Sequence, residues 1–123
     1  MPATAMRLEA SRFMEAGQPY LSARRLAEGL GVTLTELAAL AGVARNTLTA
    51  KSGARKVDQA LSPVVRIIAM AAEMAGDEGR AAIWFKHQPI PGWAGKTAYD
   101  LVREHKADKV IAYLEAIRAG VYA

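Results

Sequence analysis

Cysteine is absent from all 123 residues, which excludes a disulfide framework, a thiolate metal site and a thiol nucleophile. Long apolar runs are missing too. No uncharged stretch approaches the ~18 residues of a membrane span, and the opening MPATAMRLEASRFMEAG has no apolar block of the signal-peptide kind. These absences predict a cytosolic chain with no membrane partner. Histidine is confined to His87 and His105, 18 positions apart with no tight carboxylate cluster beside them, so no metal site is expected. The four serines, Ser11, Ser22, Ser52 and Ser62, stand in no nucleophile-elbow context. Asp100, Glu104 and Asp108 read as a solvated face interleaved with Arg103, Lys106 and Lys109. The expectation is a protein without catalysis or cofactor of its own.

Strand signals are equally scarce, because β-branched alternation never exceeds a few residues. What is abundant is Ala, Leu, Glu, Arg and Met, so the chain reads as all-α with about seven helices and no repeat. At this length and 52% hydrophobic content it can bury one sizeable core, as one domain or two small subdomains sharing it. A first helix is expected over 5–16. Ser22 caps a second that ends at Gly29 or Gly31, and Thr33 with Glu36 forms a capping box for a third, stopped by Gly42. A short helix follows from about Arg45 to Lys51, then a loop at SGARK. Ser62-Pro63 predicts the start of a helix running to Gly76, with Val64, Ile67, Ile68, Ala71 and Ala75 on one stripe. Asp77 caps the next, which ends before Pro89 and Pro91; Thr97 with Asp100 caps another; the last spans about Asp108 to Ala119. The domain division is placed at 60/61.

Net charge is +4, and it is uneven: residues 1–62 carry eight Lys/Arg against five Asp/Glu, and 63–123 eight against seven. A polyanion contact is therefore expected on the N-terminal side. The segment LTELAALAGVARNTLTAK, Leu34 to Lys51, fits a helix-turn-helix. Ala38 permits a close helix crossing, Gly42 permits the tight turn, and Leu37, Val43 and Leu48 lock the pair. The second helix then turns Arg45, Asn46, Thr47, Thr49, Ala50 and Lys51 outward towards bases and phosphates, with Arg55 and Lys56 as further phosphate contacts. Between Leu34 and Lys56 there are four basic residues and one acid, Glu36, whereas a plain helical hairpin facing water would be balanced. Ala44 departs from the rule that a Ser-type residue caps the recognition helix. Ser22 to Ala60 resembles the repressor-type helix-turn-helix of the Xre family.

Gly95-Lys96-Thr97 has the ending of a phosphate-binding loop, but the glycine required five positions earlier is Ile90, and the approach is helical where a buried strand is needed. The residues read better as a stiff turn. Pro89 and Pro91 fix the backbone, Gly92 and Gly95 permit positive φ, Trp93 is either a core residue or an interface anchor, and Thr97 launches the next helix.

The run Ala81 to Ala123 resembles the Xre/MbcA/ParS toxin-binding domain of bacterial type II antitoxins. The resemblance rests on an aromatic helix, AAIWFKH, before a proline, then Gly-Lys-Thr feeding AYDLV, then ADKVIAYLEAI and the terminal GVYA. Many members read Gly-Gly before the basic residue and Thr-Pro-Leu after it; here stand Ala94-Gly95 and Thr97-Ala98-Tyr99. The resemblance implies an antitoxin that represses its own promoter and covers the active-site entrance of a RES-domain, NAD-consuming toxin. It implies toxin contacts at Trp93, Gly95, Lys96 and Thr97, and a C-terminal plug of Val121, Tyr122 and Ala123. A homodimer is expected, since one helix-turn-helix reads one half-site and paired half-sites lie about 34–36 Å apart. Two alternatives stay open: a stand-alone regulator whose C-terminal half dimerises, and an enzyme using Lys96 on a phosphorylated ligand.

Overall fold

The computed structural model describes residues 22–49 and 54–120; of Ala54 and Arg55 it describes the backbone alone. The expected first helix over 5–16 lies outside these residues. Among the described residues there are seven helices and no strand, an all-α fold. They are α1 (Ala23–Leu30), α2 (Leu34–Ala41), α3 (Arg45–Thr49), α4 (Ala54–Ala75), α5 (Glu78–His87), α6 (Ala98–Arg103) and α7 (Ala107–Arg118).

Local chemistry sets most of these boundaries. The Ser22 hydroxyl accepts from the Arg25 N–H and starts α1; Gly31, not Gly29, ends it, at φ 69° with its own N–H shared between Ala27 and Glu28 carbonyls. The Val32 N–H reaches the Ala27 carbonyl at 3.0 Å, so the exit is a Schellman turn. The same geometry recurs at the end of α2. Gly42 has φ 72° and Val43 donates to the Ala38 carbonyl, also at 3.0 Å. Both halves of the Thr33/Glu36 capping box are present, as are both halves of Thr97/Asp100, and Asp77 Oδ1 caps α5 at 2.7 Å.

One expected boundary is overturned. Ser62-Pro63 does not start a helix: α4 runs continuously from Ala54 with Pro63 inside it, so Ala54, Arg55 and Lys56 of the expected SGARK loop are helical. The Ser62 hydroxyl donates back to the Asp58 carbonyl at 2.6 Å, four residues earlier. A proline inside a helix costs about 3 kcal/mol. Burying Val57 and Leu61, 5% and 0% exposed, on the two turns before it gains about 1.5–3 kcal/mol each, so packing outweighs the break. The 60/61 position falls inside this helix.

The α4 helix packs against α5 and α7, and α2 packs against both α4 and α6. The expected stripe holds: Val64, Ile67, Ile68 and Ala71 are buried, and Ala75 is half-buried. One cluster joins Leu26, Leu37 and Leu48 from the front of the chain to Phe85, Ile90, Leu101 and Val110 from the back. None of the described helices is long and apolar enough to cross a membrane.

Candidate functional site

The α2–α3 pair is joined by the Gly42 turn and locked by an apolar seam. Leu37, Ala38 and Leu48 are buried and Val43 packs half-buried against them, so α3 is held by one side of a five-residue helix. Arg45, Asn46 and Thr49 are exposed and Thr47 is half-buried. The Thr47 N–H donates to the Ala44 carbonyl, and Thr49 Oγ1 donates to the Asn46 carbonyl at 3.4 Å. Lys56 is exposed on the first turn of α4. Ala50 and Lys51 lie outside the described residues, as does the Arg55 side chain.

Charge pairing among the described residues is concentrated beyond residue 65. Among the described residues the ion pairs are Arg66–Glu115, Arg80–Asp77, Lys96–Glu104, Lys106–Glu104, Lys109–Asp108 and Arg118–Glu73, all beyond residue 65. Arg24, Arg25, Arg45 and Lys56 have no acidic partner among the described residues, and neither do Lys86, on the Gly31 carbonyl, and Arg103, over the Tyr99 ring. The acid of this region nearest the helix pair, Glu36, is occupied. Its Oε1 accepts from the Thr33 N–H at 2.9 Å, and this capping contact, with the Thr33 hydroxyl next, holds its carboxyl below the ordinary value of 4.5.

The second surface is the turn after α5. Pro89 and Thr97 face each other as an antiparallel bridge, and the Ile90 N–H donates to the Lys96 carbonyl at 2.8 Å. Ile90, 2% exposed, plugs the turn into the core, which is the physical reason this loop has no glycine where a phosphate loop needs one. Gly92 and Gly95 take φ 88° and 83° as expected, and Ala94 joins them at 54°. Trp93 is half-buried against the core, and Lys106 Nζ stands 5.6 Å from its ring centroid. Lys96 Nζ donates to Glu104 Oε1 at 2.7 Å. Gly95 is exposed; the Thr97 hydroxyl accepts from the Asp100 N–H at 3.1 Å and is committed to capping. Val121, Tyr122 and Ala123 lie outside the described residues.

Glu104 and Lys106 escaped the sequence reading, which left them on a solvated face. Glu104 is eight residues from Lys96 across a turn and a helix, a separation at which no periodicity brings two residues together. His105 was missed for the same reason. It sits at φ 63° in the turn after α6, with its ring against Gly42, where a β-carbon would meet Cε1 at 3.2 Å. The Tyr99 hydroxyl, pushed above its ordinary range by burial and then by the charge of Glu36, stays protonated and lies 3.5 Å from Glu36 Oε2. Lys86 Nζ reaches the Gly31 carbonyl at 3.4 Å. The first two helices and the second surface thus touch through side chains as well as through the core.

Comparison with known proteins places a name on the second surface. Residues 70–120 match the family model described as the antitoxin Xre/MbcA/ParS C-terminal toxin-binding domain. Neither curated proteins nor solved structures give a match to the chain. The matched stretch begins in the second half of α4 and contains the whole turn, Glu104, Lys106 and all but the last residues of the chain. Over residues 70–120, therefore, the chain is similar to the toxin-binding domain of Xre/MbcA/ParS antitoxins, a match that supports an antitoxin role in a toxin–antitoxin system.

Proposed function

We propose that this antitoxin neutralises a RES-domain, NAD-degrading toxin by occluding its active site. It also represses its own operon, binding operator DNA through α2–α3 as a cytoplasmic homodimer. It acts by binding, with no reaction of its own. The toxin-facing residues are Trp93, Gly95, Lys96 and Thr97, with Val121, Tyr122 and Ala123 as the plug. The DNA-facing residues are Arg45, Asn46, Thr47, Thr49, Lys51, Arg55 and Lys56.

The toxin half of this reading rests on the family match over 70–120. The DNA half is carried by one observation, that Arg45 and Lys56, beside a glycine-turned helix pair, have no acidic partner among the described residues. Unpaired cations bind phosphates without first breaking an ion pair, and each phosphate they neutralise releases a counterion.

Co-expression with the adjacent gene product, scored by growth, tests neutralisation; full rescue by a chain truncated at Val121 would rule out the plug. Mobility shifts on the promoter test the DNA surface. Arg45→Ala is expected to weaken the operator by about 1–3 kcal/mol and to relax its specificity, while Lys56→Ala weakens all sequences and lowers the salt slope by about 1. Undiminished operator affinity in the Arg45 variant would remove α3 from the recognition role.

A further inference from the structure

Two kinds of group meet in the turn that carries Lys96. One is Glu104, whose Oε1 accepts from Lys96 at 2.7 Å and from Lys106 at 3.4 Å. A single carboxylate serves two ammonium groups, and one positive charge is left unmatched. Just before Lys96 in the chain stand the exposed residues Ala94 and Gly95, whose N–H groups donate no hydrogen bond among the described residues, whereas those of Trp93 and Lys96 are consumed inside the turn. Neighbouring amide N–H groups beside an ammonium ion form a receptor for an oxyanion.

Building on the reading that this loop meets the toxin, we propose that its tip captures a carboxylate side chain of the toxin. The Ala94 and Gly95 N–H groups and the Lys96 ammonium donate to that carboxylate, and Glu104 is the positioning residue that holds Lys96 ready. The unmatched charge is that of one monoanion, which a carboxylate supplies. The half-buried Trp93 beside it gives a flat apolar contact of the kind that surrounds a polar anchor at protein interfaces. Glu104 reduces the ordering cost of the lysine, because the long side chain is fixed before the partner arrives. Its carboxyl is held below the ordinary value of 4.5, first by the Lys96 hydrogen bond, so the tether persists at neutral pH.

Binding of the full chain to its toxin, followed as association and dissociation rates at low and high salt, tests the assignment. Lys96→Gln is expected to weaken the complex at least ~10-fold and flatten its salt dependence, with a melting temperature lowered no further than that of Glu104→Gln. Glu104→Gln is expected to raise the association rate at low salt, through the added positive charge, and to raise the dissociation rate, through the untethered lysine. Glu104→Asp should restore the dissociation rate in part. A loss of fold would not produce that split. Lys96→Glu should abolish binding and regain it with one Asp or Glu→Lys change in the toxin. If Lys96→Gln binds within twofold of the unaltered chain with the same salt dependence, the inference fails. Lys96-dependent binding of inorganic phosphate, with toxin affinity untouched by the substitution, would also overturn it. Failure of the unaltered chain to bind toxin would sink the function proposed above as well.

Discussion

Two residues carry backbone conformations that can be tested by exchanging them. Gly42 takes φ 72° at the turn of the helix pair, and Ala94 takes φ 54° in the second turn. The left-handed region costs a residue with a β-carbon about 1–2 kcal/mol. At Gly42 a β-carbon would also press on the His105 ring at 3.2 Å, so Gly42→Ala should destabilise by at least that amount in urea unfolding. Ala94 faces the opposite choice: glycine would relieve the strain and lose about 0.5–1 kcal/mol of chain entropy. Ala94→Gly is therefore expected to stabilise, by up to about 1 kcal/mol, at the position where the resembling family places the first of two glycines. Glu104 adds a pH-dependent prediction at the same scale. Its folded pKa is depressed below 4.5, so its contribution to stability is present above the unfolded value and is lost as pH falls through the folded one. The gap in melting temperature between the unaltered chain and Glu104→Gln should be open at neutral pH and close as pH drops below 4.5.

At the scale of elements, the signals that act within four residues were legible. The Thr33/Glu36 and Thr97/Asp100 boxes and the Asp77 cap form as their spacing implies, and the Gly42 turn follows. Pro63 misled because proline and serine are start signals only where nothing holds the preceding turns. Val57 and Leu61 hold them, and their burial is a tertiary fact. The Lys96–Glu104–Lys106 network was invisible on similar grounds. Its members sit on separate elements, and only the folding of the turn back onto α6 brings them together. Pro63→Ala should return the missing hydrogen bond to α4. Against the helix cost of about 3 kcal/mol, the greater freedom of the unfolded chain takes back about 0.4–1 kcal/mol and the half-buried ring loses some packing, leaving a gain of about 1–2 kcal/mol in chemical denaturation.

For the molecule as a whole, the consequence of a shared core is that the α2–α3 pair and the matched toxin-binding stretch are expected to melt together. Phe85 shows why. It is fully buried on α5, inside the matched toxin-binding stretch, yet it belongs to the cluster that holds Leu26 and Leu37 of α1 and α2. Its ring meets Tyr99 edge-on at 6.1 Å, and the Tyr99 hydroxyl lies 3.5 Å from Glu36 on α2. Two subdomains joined by a linker would lose only the damaged one when such a ring is removed. Here Phe85→Ala, expected to cost about 3–5 kcal/mol, should lower hydrogen-exchange protection in α1 and α2 as much as in α5 and α6. The loss across both halves should occur in one transition. Retained protection over Ala23–Ala41 with α5 and α6 exchanging freely would show instead that α1 and α2 stand alone, and that occupancy of one surface has no mechanical route to the other.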